Sequence, residues 1–295
     1  METSEANKRF YNLVAYCYDK VDGRKEPEEW LDKMIYSLSI GRQDFLDIGA
    51  GTGYITKIAA KYFDKVTAYD ASESMLLQIP RIANVKTIAG YAENLNRFDW
   101  NSFDVVCTFA TLHHIKNLVK VFQEIHRVLR TGGIYYSDHD IEEHFVKRHR
   151  FLLKIYRFIK DKKRDFAFFE KEAGKLYDQT EHWSNGIDSD RIRITLTAIG
   201  FKVYITYHWQ GGGLPINGES KKGYGPYMRI IAIKQRSSVM ELQDKRIQCN
   251  DCKNFFTFTA GEQEFYQERG FSEPKRCKEC RQKRKEKRGK YAYKR

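Results

Sequence analysis

The sequence predicts an α/β fold in which strands and helices alternate along most of the chain, followed by a small second module. Three observations support this prediction. Residues 45–48 have the pattern of a short buried strand, and a glycine-rich turn and a helical pattern follow them. Further strand and helix patterns alternate as far as residue 234. Beyond residue 246 the chain contains two Cys-x2-Cys pairs.

Length and composition limit the classes of protein that this chain can belong to. It has 295 residues, enough for about two domains, and 41% of them are hydrophobic, which allows one sizeable core. No segment is apolar for the ~20 residues that a membrane span needs. Residues 1–9 are polar and lack an apolar signal region, so we expect a cytoplasmic protein. Its cysteines should then be thiols or metal ligands.

The positive charge of the chain is concentrated near its C-terminal end. Residues 276–295 hold eleven Lys or Arg and two Glu, a net charge of +9 out of the total of +13. The preceding 275 residues therefore carry only +4. Such a block favours contact with a polyanion such as RNA or DNA, and it is equally compatible with a solvated, disordered end.

The glycine-rich turn, Gly49-Ala50-Gly51-Thr52-Gly53, is the first candidate for a ligand site. Glycines allow a sharp turn and a close approach of the backbone to a ligand, which could be a dinucleotide, a phosphate or an adenosyl group. The spacing is G-x-G-x-G rather than G-x-G-x-x-G, and no G-K-[ST] follows. Asp47 precedes the turn, where it would repel a pyrophosphate but could reach the amino group of S-adenosylmethionine (SAM).

This stretch resembles motif I of the class I SAM-dependent methyltransferases. The resemblance covers roughly residues 10–234 and implies a Rossmann-like, seven-stranded sheet whose last two strands form a hairpin. Later signatures agree: the D-x-S-x-x-M-L pattern at 70–76, L-H-H at 112–114, and a version of R-V-L-x-P-G-G ending at Gly133. Together, the turn and the resemblance predict these cofactor-binding residues: Tyr18, Asp47, Gly49, Ala50, Gly51, Gly53, Asp70, Ala71, Met75, Ala92, Glu93 and Ala110.

Asp70 is the most informative of these residues after the turn. It ends the second predicted strand, where open α/β sheets bind ligands, and its carboxylate could accept from both ribose hydroxyls. The alternative is that it only caps a helix. Met75 could flank the adenine, and the aromatic side chain of Tyr18 could close over the cofactor. The family usually has an acid at the position of Tyr91, so adenine recognition here is expected from the backbone of Ala92 or from stacking.

Strand and helix patterns continue in order along the chain. We expect an N-terminal helix over 5–20 and later strands at 85–89, 104–110, 134–137, 201–207 and 227–233. Amphipathic helices are expected over 118–129 and 189–200, and glycines end both. His113 and His114 follow the fourth strand and cannot both face inward. A packed or surface role is possible for each, and His113 is the candidate general base.

Aromatic and basic residues alternate in 141–185, where the helical pattern predicts an insert. In methyltransferases of this type such an insert often covers the substrate as a lid, and extra core helices are the alternative. A membrane-surface or RNA-facing helix is less favoured. The domains are then 1–234, a linker at 235–246, a zinc ribbon at 247–284 and a basic tail at 285–295.

The cysteine pairs predict a metal site. Cys249, Cys252, Cys277 and Cys280 form two knuckles separated by 24 residues, and four thiolates can complete a tetrahedral zinc site. A redox pair or disulfides are the alternatives. The surrounding residues resemble a zinc-ribbon family found in small bacterial proteins. A module this short needs the metal for its folding energy.

Three functions remain open from the sequence. The first is a SAM-dependent methyltransferase acting on a small molecule, favoured because L-H-H with an aromatic insert resembles small-molecule enzymes and no N-P-P-Y-type motif follows strand four. The second is an RNA or ribosome-associated methyltransferase in which the zinc ribbon and tail bind nucleic acid. The third is a non-catalytic, SAM- and zinc-binding nucleic-acid-interaction protein.

Overall fold

A computed structural model describes residues 3–22, 28–151, 162–180, 183, 185–208, 225–235, 244–268 and 272–284. The chain divides into two compact units, Met1–Arg236 and Ser237–Arg295. Residues 209–224, residues 236–243 of the predicted linker and the basic tail lie outside the described residues. Within the described part of the chain, every helix is too short or too polar to cross a membrane.

A seven-stranded sheet forms the centre of the first unit, as the sequence predicts. Its strands are β1 Asp44–Ile48, β2 Lys65–Asp70, β3 Val85–Ala89, β4 Phe103–Phe109, β5 Leu129–Ile141, β6 Phe201–His208 and β7 Tyr227–Lys234. They lie in the order β3-β2-β1-β4-β5-β7-β6. The first five strands are parallel, and β7 pairs antiparallel with both β5 and β6. The predicted Rossmann-like methyltransferase sheet is confirmed.

Helices cover both faces of this sheet and its carboxyl edge. The described helices are α1 Thr3–Val14, α2 Tyr18–Asp22, α3 Glu29–Ser39, α4 Tyr54–Ala59, α5 Glu73–Leu76, α6 Leu118–Val128, α7 Glu143–Arg148, α8 Lys162–Phe169, α9 Lys171–Leu176 and α10 Ser189–Ile199. Apolar side chains of α6 and α10 pack on one face, and those of α3 and α4 pack on the other. A smaller cluster joins α1 to α8 and α9 beside the edge where the parallel strands end.

Two elements differ from the sequence prediction. The N-terminal helix divides into α1 and α2 because a turn interrupts it at residues 15–17. Strand β5 is much longer than the predicted 134–137, since it continues through Asp138 and Asp140, both of which are fully buried. Aspartate is depleted in strands, so the pattern ended the prediction too early. Here Asp138 has partners from other strands, and Asp140 has partners in the turn after β4.

The second unit begins with a short antiparallel hairpin. Strand β8 (Lys245–Gln248) pairs with β9 (Phe255–Phe258), and helix α11 (Ala260–Glu268) follows. Residues 278–284 are also helical. The Cys249–Cys252 knuckle lies in the turn of the hairpin, and the second cysteine pair lies at the start of the last helix.

Candidate active site

The glycine-rich turn connects β1 to α4 at the carboxyl edge of the sheet. Gly49 has φ +73°, in the left-handed region that favours glycine, and its amide donates to the carbonyl of Tyr69 at 2.8 Å. A Cβ on Gly49 would lie 2.4 Å from both Cγ2 and Oγ1 of Thr111. Backbone conformation and packing therefore both require glycine at this position.

Asp70 lies beside the turn at the end of β2, and the backbone fixes both of its carboxylate oxygens. Oδ2 accepts from the amide of Gly51 at 2.9 Å, and Oδ1 accepts from the amide of Ser72 at 2.8 Å. Burial raises the pKa of Asp70, whereas these two N–H bonds act in the opposite direction. Each oxygen can accept a further hydrogen bond, so the carboxylate is held ready for a ligand with two donors.

Asp47 lies behind the turn. Its side chain is 1% exposed and accepts from the Thr56 hydroxyl at 2.6 Å. Burial raises the pKa of this carboxyl to about 7, although the hydrogen bond from Thr56 opposes the shift. Contact of Asp47 with the amino group of SAM stays a prediction, because Asp47 is not among the residues that line the neighbouring cleft.

A cleft of about 890 Å³, its open mouth included, runs along this edge of the sheet. All of the predicted cofactor-binding residues line it except Asp47 and Gly53. One wall was not predicted: the residues Ser4, Asn7, Lys8 and Tyr11, spaced i, i+3, i+4 and i+7 on one face of α1. The aromatic residues of α1 predicted a packing helix, and the polar residues between them were the only signal that one face meets a ligand.

The two adjacent histidines occupy different environments. His114 lines the cleft, and its Nδ1 lies 2.9 Å from the carbonyl oxygen of Thr180, which can only accept. Nδ1 therefore carries the hydrogen, and Nε2 accepts from the hydroxyl of Tyr11 at 2.8 Å. His113, the predicted base, does not line the cleft, and its Nδ1 lies 2.8 Å from Oδ1 of Asp140.

Aromatic side chains close the cleft near the glycine turn. Tyr18 lines it and stacks on Phe166 of α8, with ring centroids 6.1 Å apart. The adjacent Asp19 accepts from the Thr52 hydroxyl at 2.7 Å, which ties α2 to the turn. The described part of the predicted lid is helical, and Phe166 brings it against the cofactor side of the cleft. Residues 152–161 of the lid lie outside the described residues.

A buried ionic cluster lies next to the cleft at the end of β5. Asp138 is fully buried and accepts from Nε2 of His208 at 2.6 Å and from Nε of Arg229 at 2.8 Å. Burial raises the pKa of Asp138, but the hydrogen bonds and charges of His139 and His208 outweigh it and lower the pKa. The ring of His139 stacks on that of Phe109, a cleft residue, with centroids 4.1 Å apart. The backbone of His139 has φ +72°, and its buried Nε2 has no partner among the described residues. Strain at a position like this is typical of functional sites.

The four clustered cysteines of the second unit have the geometry of a metal site. Their sulfur atoms all lie within 4.8 Å of one another, and those of Cys252 and Cys277 are 3.9 Å apart. Four sulfurs at the usual Zn–S distance would be separated by about 3.8 Å in a tetrahedron. Backbone N–H groups, that of Cys252 foremost, lower the pKa of the Cys249 thiol and so favour its thiolate. The residues therefore fit zinc.

Two family models match parts of this chain. Residues 46–137 match the model of a family described as "Methyltransferase domain", and residues 243–289 match one described as "Probable treble clef domain". The predicted zinc ribbon thus corresponds to this treble clef match. The structure supports the treble clef match, because the first cysteine pair lies in a hairpin turn and the second pair lies at the start of a helix.

Two relatives and one solved structure illustrate the similarity. Malonyl-[acyl-carrier protein] O-methyltransferase of Bacillus cereus is 33% identical over 139 residues, 43% of this chain and 49% of the relative. Demethylmenaquinone methyltransferase of Chlorobaculum tepidum is 34% identical over 113 residues, 38% of this chain and 45% of the relative. The chain thus spans about half the length of each.

The solved structure is that of the YcgJ protein from Bacillus subtilis, which shares the fold. Its TM-score is 0.50 at 19% identity, with 70% of this chain and 98% of that chain covered. Residues 46–137 of this chain contain β1, the glycine-rich turn, Asp70 and β4, so the sequence match includes the part of the cleft that the strand ends form. Residues 46–137 therefore match the methyltransferase family, and residues 243–289 match the treble clef family.

Proposed function

We propose that the protein is a SAM-dependent methyltransferase that acts on a small-molecule acceptor. The observation that carries this proposal is the carboxylate of Asp70, held by two backbone amides beside a left-handed glycine turn. The backbone leaves each carboxylate oxygen able to accept one hydroxyl of a ribose. Similarity to the methyltransferase family over the same residues supports the choice of SAM over other nucleosides.

The remaining cofactor contacts follow from the lining of the cleft. When bound, SAM supplies an activated methyl group, so the protein contributes mainly binding and alignment. The turn from Gly49 to Gly51 would hold the methionine part of the cofactor and Asp70 the ribose. Met75, Ala92 and Glu93 line the continuation of the cleft beyond Asp70. Asp47 would act from behind the turn through its charge rather than by direct contact.

The acceptor would enter near Tyr18, Phe166 and the end of β4. If it must lose a proton, Tyr11 and His114 form a pair that can take it. The Tyr11 hydroxyl faces the cleft while donating to His114 Nε2, so Tyr11 could accept a proton as its own passes to the imidazole. The predicted base His113 would then act on His114, since their ring centroids lie 3.9 Å apart, and Asp140 fixes its orientation.

Binding of SAM to the whole chain is the first test. Calorimetric titration should show one site, and Asp70→Ala should weaken it by more than tenfold, ~1.4 kcal/mol. Asp64→Ala is a matched control, because Asp64 is exposed on the preceding turn and should leave affinity unchanged. Equal affinities for the two variants would refute the assignment of Asp70. A small-molecule extract incubated with isotopically labelled SAM should then yield a labelled product detectable by mass spectrometry.

An RNA or ribosome-associated acceptor is the second candidate, favoured by the surface of the C-terminal unit. Phe255 is 59% exposed, and the guanidinium of Arg246 lies 5.5 Å from its ring. Exposed aromatic and basic side chains suit base stacking and phosphate contact. Deletion of 237–295 separates the two candidates, because methylation of a small molecule should survive it and methylation of RNA should be lost. If the protein binds SAM but labels neither a small molecule nor RNA, the non-catalytic alternative is favoured.

Zinc is proposed as the structural metal of the C-terminal unit, held by Cys249, Cys252, Cys277 and Cys280. Four protein ligands leave no open position, so the metal would stabilise the fold rather than take part in the reaction. A cytoplasmic location is part of the same proposal, because free thiolates and SAM-dependent chemistry both suit a reducing compartment.

A further inference from the structure

Asn7 is a buried residue of α1 with an unused hydrogen-bond acceptor. Its side chain is 8% exposed and lines the cleft, and Oδ1 has no partner among the described residues. Its Nδ2 donates to the carbonyl oxygen of His114 at 3.2 Å. Since that carbonyl cannot donate, the bond fixes the amide orientation and leaves Oδ1 as the free group. A buried acceptor without a donor is costly and calls for a partner from a ligand.

The position of Asn7 along the cleft identifies the part of the ligand it meets. Strand β3 lies beside β2, and Asp70 pairs in register with Ala89. The residues that follow β3, 90–93, therefore line the cleft beyond Asp70 on the side away from the glycine turn. Glu5, two residues before Asn7 on α1, accepts from the Tyr91 hydroxyl at 3.0 Å. The first half of α1 thus borders the space where the base of a ribose-bound nucleoside must lie.

We propose that Asn7 Oδ1 accepts a hydrogen bond from the exocyclic amino group of the adenine, and so selects a 6-aminopurine. This inference rests on the proposed function. Tyr91 stands where the family usually has an acid, and its hydroxyl donates to Glu5 at 3.0 Å. Asn7 instead provides the neutral acceptor from a different element. A 6-oxopurine would set a carbonyl oxygen against Oδ1 and leave both acceptors unpaired, so it should bind much more weakly.

The test compares two nucleosides that differ at this one group. Calorimetry on the full chain should show that S-adenosylhomocysteine binds at least tenfold more tightly than S-inosylhomocysteine. Asn7→Leu should bring the affinity for the adenosyl compound down to that for the inosyl compound. Asn7→Asp keeps the acceptor oxygens and should retain the preference. Asn96→Leu, at an exposed position, is the control and should behave as the wild type.

The outcomes separate this inference from the function on which it rests. Equal binding of the two nucleosides by the wild type, or a preference that survives in Asn7→Leu, would overturn the role of Asn7 and leave the methyltransferase proposal intact. Failure of the wild type to bind either nucleoside would overturn both. Asn7→Ser shortens the side chain without adding bulk, and it should lose the preference as Asn7→Leu does.

Discussion

Gly49→Ala should destabilise the first unit far more than the same substitution at Gly132. Both glycines are left-handed, with φ +73° and +78°, so each substitution incurs the conformational cost of about 1–2 kcal/mol. At Gly132 a new Cβ would have no atom within 4 Å. Gly132→Ala therefore isolates the backbone cost and serves as the matched control.

The additional cost at Gly49 comes from Thr111. A new Cβ would lie 2.4 Å from two atoms of that side chain, and Thr111 cannot turn away freely because its hydroxyl donates to the Phe109 carbonyl at 2.9 Å. Loss of this bond costs about 1 kcal/mol, and forced packing costs about 1–3 kcal/mol. Gly49→Ala should therefore reduce the free energy of unfolding by about 2–4 kcal/mol more than Gly132→Ala.

Urea unfolding followed by tryptophan fluorescence measures this difference. All four tryptophans lie between residues 30 and 209, so the signal reports only on the first unit. Thr111→Ala removes both atoms at 2.4 Å, and the double variant should recover at least ~1 kcal/mol of the loss. Equal destabilisation by Gly49→Ala and Gly132→Ala, within about 0.5 kcal/mol, would refute the packing argument.

Three further predictions concern other charged and metal-binding groups. Burial raises the pKa of Asp47 to about 7, so the folded chain retains this proton at pH values where the unfolded chain has lost it. Stability therefore falls as the pH rises from about 4 to about 7. Asp47→Asn should remove that slope and raise the free energy of unfolding at pH 8 by about 4 kcal/mol, whereas an unchanged pH profile would contradict it. Asp138→Ala removes the buried carboxylate that accepts from Arg229 and should cost about 3–5 kcal/mol in urea unfolding, much of it recovered by adding Arg229→Met. Metal analysis should find about one zinc per chain. Removal of the zinc by a chelator should abolish hydrogen-exchange protection of β8 and β9 without changing tryptophan fluorescence. Zinc that remains bound after all four clustered cysteines are changed to serine would disprove the site.

Local patterns in the sequence predicted the sheet and the side of the cleft that the strand ends form. The glycine spacing, Asp70 at a strand end and the cysteine pairs each depend on residues close together in the chain. The wall formed by α1 could not be predicted in this way, because only tertiary packing decides that Asn7 and Tyr11 face a ligand. The choice between His113 and His114 likewise depends on the short 3₁₀ turn at Leu112–His114, which directs one ring to the cleft and the other to Asp140.

Strand β5 shows the same limit for a buried charge. Asp138 lies in a strand although aspartate rarely does, because His208 and Arg229 satisfy its carboxylate. These partners lie 70 and 91 residues further along the chain, beyond the reach of any local pattern. Sequence reasoning therefore ended the strand where the apolar run ended.

Helix α1 also bears on the kinetics of the protein. Besides forming a wall of the cleft, it is attached across the edge of the sheet by Asn12 to Ser72 at 2.7 Å and by Tyr11 to His114 at 2.8 Å. A nucleoside bound beneath this helix would meet these contacts on its way out, so its release rate should rise when they are weakened. Turnover would then be limited by exchange of the spent nucleoside, and shortening Asn12 to alanine should make the enzyme faster while it binds less tightly.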